Sequence, residues 1–108
     1  MAYEATHRFA RISARKVRPL ADLIRGKHAD DALDILRYQP HRGARMLEKV
    51  IRSALANAED RRAANLEQLV VVDVRIDGGP MFKRMQPKAR GSASILNRRM
   101  SHIRVALE

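Results

Sequence analysis

Neither cysteine nor tryptophan occurs in these 108 residues. The first absence excludes disulfide scaffolds, cysteine-based zinc sites, iron–sulfur clusters and thiol catalysis, and it fits a reducing compartment. Aromatic residues reach only 4% of the chain, too few for the stacking platforms of RRM-type RNA binders. The longest aliphatic run is Leu69-Val70-Val71-Val72, far short of the ~18 residues that mark a membrane-spanning helix. No apolar block of signal-peptide type occupies the first 20 residues; a soluble intracellular protein is expected. Apolar residues still make up 45% of the sequence. That is enough to bury a core and argues against wholesale disorder. One domain's length is present, with no repeat, low-complexity tract or linker composition.

Acidic residues are also scarce, and unevenly so. Lys plus Arg number 22 against 12 Asp plus Glu, a formal net charge of +10. Residues 1–28 carry seven basic side chains (Arg8, Arg11, Arg15, Lys16, Arg18, Arg25, Lys27) and only Glu4 and Asp22 as acids. Residues 29–77 are nearly balanced, at −1. Residues 78–107 hold seven basic side chains (Lys83, Arg84, Lys88, Arg90, Arg98, Arg99, Arg104) and no acid at all. A thirty-residue segment without a counter-charge repels itself unless an anionic partner neutralises it, and nucleic-acid phosphate is the natural candidate.

Periodicity organises the chain. Residues 4–12 alternate imperfectly and predict a short strand, with Thr6, Arg8, Ala10 and Ile12 on one face and His7, Phe9 and Arg11 on the other. Ser13 is placed as an N-cap for a helix whose Val17, Leu20, Ala21 and Ile24 share a face before Gly26 closes it. Pro19 lies inside that window and removes one helical hydrogen bond unless it falls in the first turns. Asp30 or Asp31 starts a second helix with Ala32, Leu33, Ile35 and Leu36 inward, ending before Pro40. The clearest helix runs from Gly43 to about Asp60, with Leu47, Val50, Ile51, Ala54, Leu55 and Ala58 as its core stripe and Arg45, Glu48, Lys49, Arg52 and Glu59 opposite.

From Leu66 to Ile76 the period becomes two. Val70, Val72, Val74 and Ile76 fall on one face and Asp73, Arg75 and Asp77 on the other. Ile103, Val105 and Leu107 form a matching alternation. The two strands pair naturally as antiparallel neighbours. The roughly twenty-five residues between them, basic and without an acid, are too many for a structureless loop in a compact domain. They read as a hairpin that continues outward and turns around Pro87, Lys88, Ala89, Arg90 and Gly91. An isolated ribbon is marginal in water, so a polyanion is expected to order it. Gly78-Gly79-Pro80 marks a bulge or bend where the ribbon leaves the body.

No constellation carries catalysis. His7, His28, His41 and His102 lack helical metal-ligand spacing. Ser101 and His102 are adjacent on a strand and so point to opposite faces. Gly78-Gly79-Pro80 lacks the lysine and following helix of a P-loop, and Asp73 and Asp77 lie on a solvent face. His102 is left with packing or RNA contact. A helix-turn-helix reader fits badly, because the strongest helix is of mixed charge.

The ordered blocks Ile12-Ser13-Ala14-Arg15-Lys16-Val17-Arg18, Ala21-Asp22-Leu23-Ile24-Arg25-Gly26-Lys27, Ser53-Ala54-Leu55-Ala56-Asn57-Ala58-Glu59, Gly79-Pro80 with Lys83-Arg84, Pro87-Lys88-Ala89-Arg90-Gly91 and Ser101-His102-Ile103 closely resemble the universal large-subunit ribosomal protein twenty-two family, bacterial type. Together they span nearly the whole chain. The resemblance implies an α+β fold, three helices packed on a small antiparallel sheet with a long protruding β-hairpin. It implies one ribosomal-protein domain, with a globular body over 1–78 and 101–108 and an extended hairpin over 79–100. It also implies no catalytic activity and no cofactor or metal.

The partners it implies are large-subunit rRNA of the bacterial 23S type, neighbouring large-subunit proteins and the nascent peptide in the exit tunnel, in the cytoplasm. Neither a membrane nor a homo-oligomer is expected. Carried over by residue, Arg15, Lys16, Arg18, Arg25 and Lys27 meet RNA from the body. Lys83 and Arg84 lie on the outgoing strand, Lys88, Arg90 and Gly91 at the tip, and Arg98 and Arg99 on the return. Arg8, Arg11 and His102 complete the candidate RNA-contacting set, and Gln86, Pro87, Lys88, Ala89, Arg90, Gly91 and Ser92 the candidate tunnel-lining tip. Ser92, Ser94, Ile95 and Met100 depart from the family's usual pattern. The rival reading on charge alone is a free-standing basic nucleic-acid chaperone.

Overall fold

In the computed structural model the described residues are 2–87, 91 and 93–108. Strand β1 spans Tyr3–Ala10, followed by helices α1 (Ala14–Ile24), α2 (Ala29–Arg37) and α3 (Arg42–Asp60). A single 3₁₀ turn, Leu66–Gln68, precedes the long strands β2 (Val71–Pro87) and β3 (Ala93–Leu107). The strands form one antiparallel sheet in the order β1-β3-β2, with the helices packed on one face. This is the expected α+β architecture.

Ser13 is extended and opens α1 without a side-chain capping bond. Pro19 sits inside α1, and the helix continues past it on the stripe Val17, Leu20, Ala21 and Ile24, all buried. Gly26 then takes φ +83°, a value that costs an L-residue about 1 kcal/mol or more. Its N–H donates to the Val71 carbonyl at 2.8 Å, the Val71 N–H donates to the Lys27 carbonyl at 2.8 Å, and the Ala29 N–H donates to the Leu69 carbonyl at 2.9 Å. These bonds lay the α1–α2 link along the start of β2. They also move the start of α2 to Ala29, with His28 as the extended cap residue, so Asp30 and Asp31 occupy the first turn rather than the cap. Carboxylates favour the helix N-terminus from either place. Ala32 and Leu36 are fully buried, whereas Leu33 and Ile35 pack only partly against the core.

Helix α3 buries Leu47, Val50, Ile51, Ala54 and Ala58, with Leu55 at the margin. Glu48 departs from its expected solvent face: it is 8% exposed. The carboxylate lies 3.2 Å from Arg45 Nη1 and 3.8 Å from Arg52 Nη2, and these two partners on successive turns offset its desolvation.

Three bulges set the sheet's faces. Val71 opposes Leu107 and Asp73 opposes Ala106, so Val72 is an extra residue in the ladder. Val71, Val74 and Ile76 are therefore buried while Val72 is 44% exposed, against the regular Val70-Val72-Val74-Ile76 face expected from the sequence. In β1, His7 opposes Ile103 and Ala10 opposes Ser101, and Phe9 takes φ +59°. Tyr3, Ala5 and His7 thus turn inward before the bulge and Ala10 after it, leaving Thr6 and Arg8 exposed. An extra residue inverts the parity of a strand, which is why one unbroken alternation fails in both places.

The third bulge falls at Gly79-Pro80, between the Gly78–Ser101 and Met81–Arg99 pairs, as Gly78-Gly79-Pro80 led us to expect. A Cβ on Gly79 would stand 3.1 Å from the Met100 carbonyl group. Beyond it the ladder continues from Met81–Arg99 to Pro87–Ala93. The chain measures 64 × 25 × 16 Å with a radius of gyration of 16.9 Å, against about 13 Å for a compact chain of 100 residues.

Candidate nucleic-acid interface

The basic side chains of α1 divide by what they touch. One side of β2 is occupied by β3; toward its other edge α1 projects two arginines. Arg18 Nη2 donates to the Ile76 carbonyl at 3.3 Å. Arg25 Nη2 donates to the Val74 carbonyl at 2.9 Å, while its Nη1 is 2.7 Å from Asp22 Oδ1. Both cover an exposed strand edge, a place where charged side chains discourage strand addition. Both guanidinium groups retain further N–H groups for an anion. Arg15, Lys16 and Lys27 are exposed on the same segment, as are Arg8 and Arg11 before it.

A cleft of about 1210 Å³ opens where the ribbon meets the body, between the starts of α1 and α3 and the base of β2 and β3. Five cationic residues line it: Arg11, Lys16, Arg42, Arg98 and Arg99. No acidic residue does. Arg42 Nη2 donates to the Arg11 carbonyl at 2.5 Å, which fixes that guanidinium at the mouth. Phe82, Met100 and Ile12 supply apolar wall, and Asn97 and His41 polar wall. Phe82 is 45% exposed.

The cleft exists because α1 and α3 approach closely. A Cβ on Gly43 would lie 3.2 Å from Leu20 Cδ1, 3.3 Å from Ile12 Cδ1 and 3.4 Å from Val17 Cγ2, so a glycine at this point lets the two helix starts converge. Neither Ser13 nor His41 caps its helix through its side chain. The partial positive ends of both helices add to the side-chain charge. Like charges about 10 Å apart repel by about 0.4 kcal/mol per pair in water, and by more beside a low-dielectric wall. This concentration of like charge is electrostatically unfavourable by itself and is suited to a polyanion.

Other candidates fall elsewhere. Lys83 is exposed on β2, and Arg84 pairs along the backbone with Leu96. Gln86 and Pro87 pair with Ser94 and Ala93, and Gly91 has φ +75°. Lys88, Ala89, Arg90 and Ser92 lie outside the described residues. His102 is partly buried: its Nδ1 accepts the Phe9 N–H freed by the β1 bulge at 3.1 Å, and its ring meets Phe9 edge-on with centroids 5.0 Å apart. Ser101 is fully buried on the opposite face, so the two cannot act together.

Arg104 is paired with Glu4 and stands 4.0 Å from Asp73; its charge is spent within the sheet. The sequence reading missed Arg42, His41, Asn97 and Phe82. Arg42 and His41 sit in a segment of balanced charge, and only their position before a strong helix could have signalled them.

Comparison with known proteins identifies relatives of this chain. Residues 5–108 match the family described as ribosomal protein L22p/L17e. A protein of Rhodopirellula baltica named large ribosomal subunit protein uL22 is 61% identical over 110 residues, covering 97% of this chain and 92% of that protein. Proteins of the same name from Caldicellulosiruptor saccharolyticus and Desulforamulus reducens are each 48% identical, covering 96% and 99% of this chain and 85% and 95% of their own lengths. The chain belongs to the ribosomal protein L22p/L17e family, a family of structural, non-enzymatic components.

Proposed function

We propose that this member of the ribosomal protein L22p/L17e family is a structural constituent of the large ribosomal subunit that binds large-subunit rRNA and supports assembly. Its hairpin lines the nascent-peptide exit tunnel. The chain acts as one domain, a body of residues 1–78 and 101–108 carrying a hairpin of residues 79–100. The single observation that carries the reading is the coincidence of an acid-free ribbon with an acid-free basic cleft at its root.

Arg11, Lys16, Arg98 and Arg99 hold phosphates at the cleft. Arg8, Arg15 and Lys27 extend the contact over the body, and Arg18 and Arg25 do so with the N–H groups their edge carbonyls leave over. Lys83, Arg84, Lys88 and Arg90 carry the charge outward. His102 acts by seating Phe9 at the ribbon's base. At the tip, Gln86 to Ser92 face the nascent peptide. Its partners are large-subunit rRNA, adjoining subunit proteins and the emerging chain, in the cytoplasm, and it works as a single copy. Arginine suits such sites because its planar fork bridges two phosphates or stacks on a base.

Sedimentation of a tagged copy through a high-salt sucrose gradient tests the assignment. High salt strips loosely held basic proteins from RNA. We expect one copy per large subunit to survive the wash. Release to the top of the gradient would overturn the reading and favour a reversible nucleic-acid chaperone. Cross-linking from position 90 to a stalled nascent peptide tests the tunnel placement separately.

A further inference from the structure

We infer that the cleft at the root of the ribbon is a receptacle for a single-stranded RNA turn whose phosphates lie on Arg11, Arg42, Arg98 and Arg99 and whose unstacked base meets Phe82 and Met100. The inference rests on the rRNA-binding reading and makes it specific. The cleft offers about 1210 Å³, room for a few nucleotides of one strand.

The lining favours an unpaired strand over a duplex. A duplex offers a protein its phosphates and 2′-hydroxyls and hides its base faces, so a duplex-binding surface has no use for an apolar wall. Here Phe82, 45% exposed, and Met100 stand among the cations. Phe82 and Arg98 are cross-strand partners, and Lys83 and Asn97 the next pair. Directly opposed residues share a face, so the Arg98 guanidinium stands beside a base lying on Phe82, while Lys83 and Asn97 belong to the other face of the ribbon. On the body side Arg42 is held to the Arg11 carbonyl at 2.5 Å, which leaves its remaining N–H groups for phosphate. An unpaired nucleotide uses the Phe82 ring and both guanidinium groups at once.

The experiment places a benzophenone amino acid in the full chain at position 82, inside the cleft, or at position 27, outside it. Large subunits are purified through high salt and irradiated, and cross-linked nucleotides are mapped by reverse-transcription stops. Position 82 is expected to mark one short stretch of rRNA that chemical probing finds unpaired. The double substitution Arg42→Gln/Arg98→Gln is expected to lower the log–log salt slope of rRNA binding by about 1.4, at about 0.7 per single-strand phosphate contact.

If position 82 marks only protein or continuous duplex while position 27 still marks RNA, the receptacle is refuted and rRNA binding stands. An unchanged salt slope in the double variant refutes it equally. If neither position reaches RNA and the chain leaves the subunit in salt, the rRNA reading itself fails and takes the inference with it.

Discussion

Arg45 joins three parts of the body, and its removal is a demanding test of how the fold is held. Its Nη2 donates to the carbonyls of Leu36 and Gln39, each at 2.6 Å, and of Arg37 at 3.1 Å. These carbonyls lie at the end of α2 and in the turn that follows, where the regular helical bonding runs out, although the Leu36 carbonyl also accepts the Gln39 N–H. Its Nη1 lies 3.2 Å from Glu48 Oε1. That contact is an ion pair without hydrogen-bond alignment, because the same oxygen has no hydrogen-bond partner. Arg45→Ala removes all four contacts and leaves the buried Glu48 with Arg52 at 3.8 Å.

Bonds from a charged donor contribute about 1.5–3 kcal/mol when sheltered. The Arg45 side chain is 47% exposed, so solvent screening reduces its carbonyl contacts to about 1–1.5 kcal/mol together. The uncompensated carboxylate adds about 1 kcal/mol. The expected loss is about 2–3 kcal/mol, a fall in urea midpoint of about 1–2 M when followed by far-UV circular dichroism. In a Glu48→Gln background the same substitution is expected to cost about 1 kcal/mol less, the coupling of the pair. Arg45→Lys is expected to restore part of the loss, since its ammonium also carries three N–H donors for the carbonyls but has no second nitrogen to face Glu48. A change below about 0.5 kcal/mol for Arg45→Ala, the range of ordinary surface substitutions, refutes the reasoning.

The other predictions concern single backbone and charge features. Gly26→Ala finds open space for its Cβ but keeps a φ of +83°, and is expected to lose about 1 kcal/mol; a calorimetric Tm lower by about 4–8 °C checks it. Val72→Lys at the bulge is expected to stay within about 0.5 kcal/mol of the parent, whereas Val74→Lys, at 3% exposure, places an unpaired charge in the core and prevents folding, as judged by chemical denaturation. Equal behaviour of the two variants would remove the bulge from the account. Replacing Lys83, Arg84 and Arg90 with Ala is expected to flatten the salt slope of rRNA binding by about 2; an unchanged slope in filter binding would show that the ribbon does not hold phosphate.

The helices were legible because a core stripe is written into sequence at a spacing nothing else produces. Val17, Leu20, Ala21 and Ile24 are all buried, as their periodicity required, and so is the Leu47-to-Ala58 stripe apart from its marginal Leu55. Strand faces were legible only where the ladder is unbroken or its break is chemically marked. Gly79-Pro80 announced its bulge; Val72 and Phe9 announced nothing, since one extra residue leaves local composition unchanged while reversing every side chain on one side of it. Glu48 was misplaced for a related reason. A helical wheel assigns a carboxylate to the polar face without knowing that Arg45 and Arg52 can shield it. Charge distribution located both basic ends of the chain, but not the cleft, because Arg42 and His41 reach it from the balanced middle through the tertiary approach of α3 to α1 at Gly43.

That approach bears on why 17 of the 22 cationic side chains are arginine. Arg18, Arg25, Arg42 and Arg45 each donate to at least one backbone carbonyl. Three of these attachments finish the fold: two cover the free edge of β2 and one closes the end of α2. A guanidinium has five N–H groups in a rigid fork, so an arginine bound to a carbonyl is held in one orientation and still presents donors outward. An ammonium on a flexible stem offers no comparable pre-organisation. Folding thus fixes the direction of several charges before any anion arrives, which lowers the side-chain entropy lost on binding. The groups that cover the sheet edge and brace the cleft are the same groups proposed to meet phosphate. For this chain the stability of the body and the readiness of the proposed RNA-facing surface therefore rest on shared bonds, and damage to one is expected to register in the other.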